Sequence, residues 1–414
     1  MVRFRMDPRS LHLPVVSGGS GQRGGASLEG PVPMDAAAAA RYGLVEKGPA
    51  RANGLFDRFG RAHTYLRISV TERCNLRCAY CMPEEGVPLL PKDTLLSFEE
   101  IERLAALFVR LGVRKVRLTG GEPLVRRDID QLVARVGALK HTLPAAVGPV
   151  AGLAGTVLGP QSDGRRLERL LMSTNGLRLL QYLAGFKAAG LDALNLSLDT
   201  LRADRFQQLT RRDGLDETIA AIRAAVVAGF KVKVNAVAMR GVNEDELVDL
   251  ARAFAGELGI EMRYIEYMPF DGNHWSDSKL LPAASIRALL EQEYALEPLG
   301  LDLGEGGTAQ IHLLTDKSGR RLPGRVGIIS TMSEPFCSTC SRLRLTADGN
   351  LRWCLLDEAE VALRNPLRDG ATDAELAGLI EGALGRKRAG HAPAEELLRG
   401  QASGPARSMI RIGG

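Results

Sequence analysis

A Cys-x3-Cys-x2-Cys run, Cys74, Cys78 and Cys81, directly after a short strand-like stretch at 65–70, constrains this chain more than any other feature. Three thiolates this close can hold three corners of a cubane iron–sulfur cluster. The run offers no fourth Cys, so one iron is left for a non-protein ligand. The other cysteines, Cys337, Cys340 and Cys354, form a second triplet with the same shortfall. Disulfide frameworks scatter cysteines through small secreted chains. Six cysteines confined to two tight groups in a 414-residue chain point instead to metal in a reducing compartment. A structural zinc site is the rival reading. It takes four ligands, and His63, the nearest histidine, lies outside the first run.

The rest of the chain reads as a frame for these triplets. A net charge of only +5 gives no polyanion-scale basic field, so an enzyme with local basic patches is expected rather than a nucleic-acid binder. Residues 1–55 read as a disordered arm. Arg3, Arg5 and Arg9 faintly resemble a transit peptide, but there is no apolar h-region, so an untargeted arm on a cytoplasmic protein is expected. From Tyr65 short apolar runs at 65–70, 114–118, 169–173, 193–198, 231–238 and 262–267 alternate with helical patterns. This predicts an α/β fold, a partial (βα)6 TIM-type barrel over 56–270, with its chemistry at the C-terminal ends of the strands. One helix starts at Ser97 with Glu100 in capping-box position, another at Asn243 with acids in its first turn. The uncharged stretch 141–162 is interrupted by prolines and glycines, which predicts a flexible surface insertion and not a membrane span. Beyond 270 the rhythm changes to short extended runs, the second triplet and a helix at 373–384. A separate, smaller α+β region, 271–414, is expected, folded back if the two triplets are to share a cavity.

The stretch 65–74 leading into Cys78-Ala79-Tyr80-Cys81-Met82-Pro83 resembles the radical S-adenosylmethionine (SAM) enzymes. Within them the paired triplets closely resemble the GTP 3′,8-cyclase family of molybdenum-cofactor biosynthesis, from about Arg61 to Gly414. The resemblance implies two 4Fe-4S clusters, one on Cys74, Cys78 and Cys81 with SAM at its open iron, the other on Cys337, Cys340 and Cys354 binding the purine of GTP. It implies hydrogen abstraction from ribose C3′, attack on guanine C8 and a 3′,8-cyclo-7,8-dihydro product. Implied SAM contacts are Tyr80, Gly121 in Thr119-Gly120-Gly121-Glu122-Pro123, Ser197 and Met268, the last equally readable as a core methionine. Implied GTP contacts are Arg67, Arg117, Thr174, Lys233, Arg342, Leu343 and Arg344.

The residues carry part of this unaided. Arg342 and Arg344, two apart on an extended segment, project to one face and can address one anion. Arg117 and Lys233 sit in apolar strands, where a cation needs a phosphate or a carboxylate partner; a structural ion pair is the rival for both. The tail residues Arg411, Gly413 and Gly414 are implied to enter the active site, with frayed termini the plain alternative. The resemblance further implies a homodimer, an electron donor and delivery of the product to cyclic pyranopterin monophosphate synthase, with neither nucleic acid nor membrane as partner. Two other classes stay open at this point. A radical SAM peptide-modifying enzyme would bring more C-terminal cysteines; a zinc-stabilised interaction module would hold zinc in place of iron and sulfide.

Overall fold

A computed structural model of the chain describes residues 54–144, 165–301, 307–403 and 408–413. The expected arm lies outside the described residues except for Gly54 and Leu55, and the expected insertion except for 141–144. The chain opens with alternating strands and helices: β1 (Tyr65–Ser69), α1 (Phe98–Arg110), β2 (Lys115–Thr119), α2 (Ile129–Ala138), β3 (Arg169–Thr174), α3 (Leu183–Ala188) and β4 (Ala193–Ser197). Two helices follow, α4 (Ala203–Thr210) and α5 (Leu215–Val227), then β5 (Lys231–Ala238), α6 (Leu247–Ala251) and β6 (Glu261–Glu266). These strands pair parallel in chain order, the partial barrel that the alternation predicts.

Strand alternation divides the residues between core and cavity. On β1, Leu66 and Ile68 are fully buried against the helices, in one apolar cluster with Ile101, Leu104 and Phe108 of α1, whereas Tyr65 and Arg67 face a cavity inside the sheet. α1 begins as its sequence predicts. The Ser97 hydroxyl accepts from Glu100 N at 3.2 Å and the Glu100 carboxylate from Ser97 N at 2.7 Å. The second predicted start is different. From Asn243 the chain first makes a 3-10 turn, Glu244–Glu246, and the Asn243 side chain does not cap a helix. It receives Met239 N at 2.9 Å and donates to Asp199 O and Val237 O at 2.8 and 2.9 Å, while Glu246 is buried and accepts from Thr200 and Leu201. These residues fasten the loops after β4 and β5 together.

Residues beyond 270, expected as a separate region, share the barrel's sheet. After α7 (Ala283–Glu291), the strands β7 (Tyr294–Leu301), β8 (Gln310–Asp316) and β9 (Arg321–Ile329) attach through β9, parallel to β6. At the other edge β10 (Arg342–Leu345) pairs parallel with β1, followed by β11 (Asn350–Arg352) and β12 (Val361–Ala362). The result is one twelve-stranded sheet in the order β12-β11-β10-β1-β2-β3-β4-β5-β6-β9-β8-β7. Three helices close the chain, α8 (Arg364–Arg368), α9 (Asp373–Leu384) and α10 (Ala394–Ser403). Asp373 of α9 is buried and bonded to Arg103 and Arg110 of α1 at 3.1 and 3.3 Å, which ties the late helix to the early barrel. No helix among the described residues is long and apolar enough to cross a membrane.

Candidate active site

Strand register builds the cationic part of the cavity. Parallel pairing sets Arg67 beside Arg117 of β2 on one side and Arg344 of β10 on the other. Two residues back the same register sets Tyr65 between Lys115 and Arg342. Neighbouring strands run about 4.8 Å apart. These cations therefore leave adjacent backbone positions and line one cavity of about 250 Å³. Like charges on neighbouring strands repel. Burial, then the cations of Arg117 and Arg342, bring Arg67 down to about 10 despite Tyr65; burial, Arg67 and Arg342 lower Arg344 further. Arg117 donates to a phenol, a carbonyl and a hydroxyl: Tyr65 Oη at 2.5 Å, Met172 O at 3.0 Å and Ser173 Oγ at 3.3 Å. Burial works to raise the Tyr65 phenol, but Arg117, Arg67 and Lys115 outweigh it and hold it at about 7. A polyphosphate has the charge and the oxygen spacing to be addressed by such a cluster.

Lys233 is placed differently. It pairs with Glu261 at 3.3 Å, the rival that an apolar strand leaves open for it. Burial pushes Glu261 up, yet Arg263, Lys233 and Arg325 together hold its carboxyl at about 2. Lys233 and Arg263 line the cavity beside this carboxylate.

The first cysteine triplet lines the same cavity, along with Tyr80, Gly121, Ser197, Met268 and Thr174. Burial raises the Cys74 thiol to about 11 and pushes Cys78 and Cys81 up as well, with the neighbouring cysteines and Asp199 adding to it. As free thiols they stay protonated; iron is what would make thiolates of them. Among the described residues no three His, Cys, Asp or Glu side chains converge on a single ion. A cubane does not require that, since each thiolate sits on a different iron, whereas a tetrahedral zinc would. One further observation shows a cavity shaped for a ligand. The amide oxygens of Asn195 and Asn235 are buried there without a hydrogen-bond partner. A Cβ on Gly121 would meet Arg73 O at 2.4 Å, so only glycine lets the chain turn this close to Arg73. Next to it Glu122 accepts from Thr174 Oγ1 and Asn175 N, each at 2.7 Å, and burial lifts its carboxyl to about 7. Tyr80 donates to Asp199 at 2.7 Å, and burial raises Asp199 to about 6.

The second triplet lines an adjoining small cavity, and Arg342 and Arg344 line both. The paired arginines thus stand between the two sets of cysteines. Burial raises Cys337 to about 11; for Cys340 burial is outweighed by Lys387 and Arg342, and the thiol falls to about 6.

Two expected site residues are placed elsewhere. Leu343 is fully buried in the apolar core, because alternation along β10 sends it to the face opposite Arg342 and Arg344. Arg411 does not line the cavity; its Nε lies 3.3 Å from Glu72, and it also donates to Pro88 O. Gly413 does reach the cations, its carbonyl accepting from Arg344 at 2.5 Å and Arg67 at 3.3 Å. Gly414 lies outside the described residues. Sequence reasoning passed over Tyr65, Lys115, Arg263, Asn195, Asn235, Glu122 and Asp199, all of which line the cavity. The i, i+2 rule applied to Arg342 and Arg344 would have found Tyr65 and Lys115 beside Arg67 and Arg117.

Comparison with known proteins agrees with this geometry. Residues 68–254 match the Radical SAM superfamily, and residues 260–393 match Molybdenum Cofactor Synthesis C. The chain is 45% identical to Molybdenum cofactor biosynthesis protein 1 of Drosophila melanogaster over 85% of its own length and 57% of that protein. It is 43% identical to GTP 3′,8-cyclase, mitochondrial, of Arabidopsis thaliana over 87% of this chain and 83% of the relative. Against GTP 3′,8-cyclase of Corynebacterium glutamicum the figures are 42%, 88% and 91%. The chain spans about half the length of the animal relatives it matches and most of the plant and bacterial ones.

Proposed function

Because the chain belongs to the GTP 3′,8-cyclase family of radical SAM proteins, we propose that it converts GTP to 3′,8-cyclo-7,8-dihydroguanosine triphosphate, the entry to molybdenum-cofactor biosynthesis. Cys74, Cys78 and Cys81 would hold one 4Fe-4S cluster with SAM, and Cys337, Cys340 and Cys354 a second. When bound, the first cluster and SAM supply the radical that removes the ribose C3′ hydrogen. The chain's own part is positioning and shielding. Arg67, Lys115, Arg117, Arg342 and Arg344 clamp the triphosphate, with Lys233 and Thr174 alongside. Tyr80, Gly121, Ser197 and Met268 receive SAM, and Met268, Phe270 and Ile412 pack into an apolar patch that keeps water from the reaction. The observation that carries this reading is the row Arg117–Arg67–Arg344, three cations at one level of adjacent strands in the cavity of the first cysteine triplet, of which Arg344 also lines the cavity of the second. In the tail, Gly413 is the part that reaches these cations, and Arg411 would serve by fixing the tail to Glu72. We place the enzyme in the cytoplasm as a homodimer that draws on an electron donor and passes its product to cyclic pyranopterin monophosphate synthase.

The test is anaerobic. Both clusters are reconstituted, SAM and a strong reductant are added with or without GTP, and 5′-deoxyadenosine and nucleotide products are quantified by chromatography and mass spectrometry. GTP-dependent 5′-deoxyadenosine together with a cyclised product of the mass of GTP is expected. Formation of 5′-deoxyadenosine with GTP untouched would remove the substrate assignment, and none at all would remove the catalytic one.

A further inference from the structure

Lys387 follows α9 and is only 3% exposed. Its ammonium donates to Trp353 O at 2.6 Å and Arg342 O at 3.3 Å, and reaches Cys340 Sγ at 3.5 Å. None of these partners is a carboxylate. Other cations of the region have one: Arg61 is paired with Asp57 at 2.5 Å, and Arg352 lies 3.7 Å from Glu360. A buried ammonium with no carboxylate among these partners is costly, so its counter-charge has to come from the neighbouring cysteines and what they hold.

We propose that Lys387 is the counter-ion of the second cluster and sets its reduction potential. The proposal rests on the reading of Cys337, Cys340 and Cys354 as 4Fe-4S ligands. Three thiolates leave the oxidised cluster with a net negative charge, and the electron that reduces it, taken from an external one-electron donor, adds another. A fixed positive charge with an N–H···S bond to one thiolate stabilises the reduced form more than the oxidised form, which raises the potential. Lys387 is a positioning and tuning residue and touches no reacting atom.

The test uses the reconstituted full chain and the variants Lys387→Met and Lys387→Arg. Iron and sulfide are assayed first. Potentiometric titrations are then followed by electron paramagnetic resonance, the first cluster being identified by its response to SAM and the second by its response to GTP. In Lys387→Met the second-cluster midpoint is expected to move to more negative potential, in Lys387→Arg to stay near the wild-type value, and in both the first-cluster midpoint to hold. Loss of the second cluster from the Met variant with retention in the Arg variant carries the same meaning, since Arg keeps the positive charge and the N–H donors that Met lacks. An unchanged midpoint in the Met variant overturns the proposal, as does an equal shift or equal cluster loss in both variants, which would make packing the cause. Iron for one cluster only in the wild-type chain would overturn the two-cluster reading and the role of Lys387 with it.

Discussion

Beside the Gly121 turn the Glu122 carboxyl is fully hydrogen-bonded, and still burial lifts it from an ordinary 4.5 to about 7. The folded chain therefore binds this proton more tightly than the unfolded chain. Between about pH 4.5 and 7 stability falls as pH rises, by on the order of 3 kcal/mol for this one group. Asp199, raised to about 6, adds to this fall, whereas His63, lowered to about 4, and Tyr65, lowered to about 7, gain stability as pH rises, so the Glu122 slope is read as a difference between two variants. The thermal midpoint of the reconstituted wild type without SAM, relative to that of Glu122→Gln, is expected to be higher at about pH 5 than at about pH 8. Equal pH dependence of the two would contradict the assignment of the slope to Glu122. The residue scale also shows where the sequence falls short. Arg117 and Lys233 look alike as cations in apolar strands, yet one bonds a tyrosine, a hydroxyl and a carbonyl and the other pairs with Glu261. That difference depends on strand neighbours that lie far off along the chain.

At the scale of elements, the strand that carries Arg342 and Arg344 is held by a tight turn. Gly349, between β10 and β11, has φ +81°, and a Cβ there would meet Arg364 Cβ at 2.6 Å and Leu96 Cδ2 at 2.9 Å. Its carbonyl also receives Leu363 N and Arg364 N, so the turn anchors the chain entering α8. Gly349→Ala is expected to lower stability by about 1–3 kcal/mol, seen as a lower thermal midpoint, and to raise the KM for GTP more than it lowers uncoupled SAM cleavage. A midpoint equal to wild type would show that the turn adapts freely. Elements with local signals were readable from the sequence: the six barrel strands, the Ser97 cap and the helix at 373–384 all appear where pattern and capping put them. The join of β10 to β1 was not, because a parallel pairing between distant segments leaves no trace in either one. The acids after Asn243 do open a helical stretch, a 3-10 turn that runs into α6, but the bonds of Glu246 to Thr200 and Leu201 of another loop were hidden for the same reason.

On the scale of the whole molecule, the segment ahead of the barrel reaches the second triplet. Arg61 is bonded to Asp57 and donates to Cys337 O at 2.8 Å, Ala389 O at 2.7 Å and Arg388 O at 2.6 Å. His63 shares the same carboxylate and is kept neutral, at about 4, by burial and by Lys387. Arg61→Met leaves Asp57 buried with less compensation, a loss of roughly 3–5 kcal/mol. Iron analysis is expected to show the second cluster depleted and the first retained; full iron with an unchanged thermal midpoint would contradict it. The sheet itself has a consequence for how the protein is made. Both edges of the barrel, β1 and β6, are completed by strands from the later part of the chain. While the ribosome is still translating, β1 waits with an unpaired edge until β10 emerges, and open strand edges invite other chains. Biogenesis of this protein should therefore lean on a chaperone until translation has passed β10, and chains released before that point are the ones that aggregate.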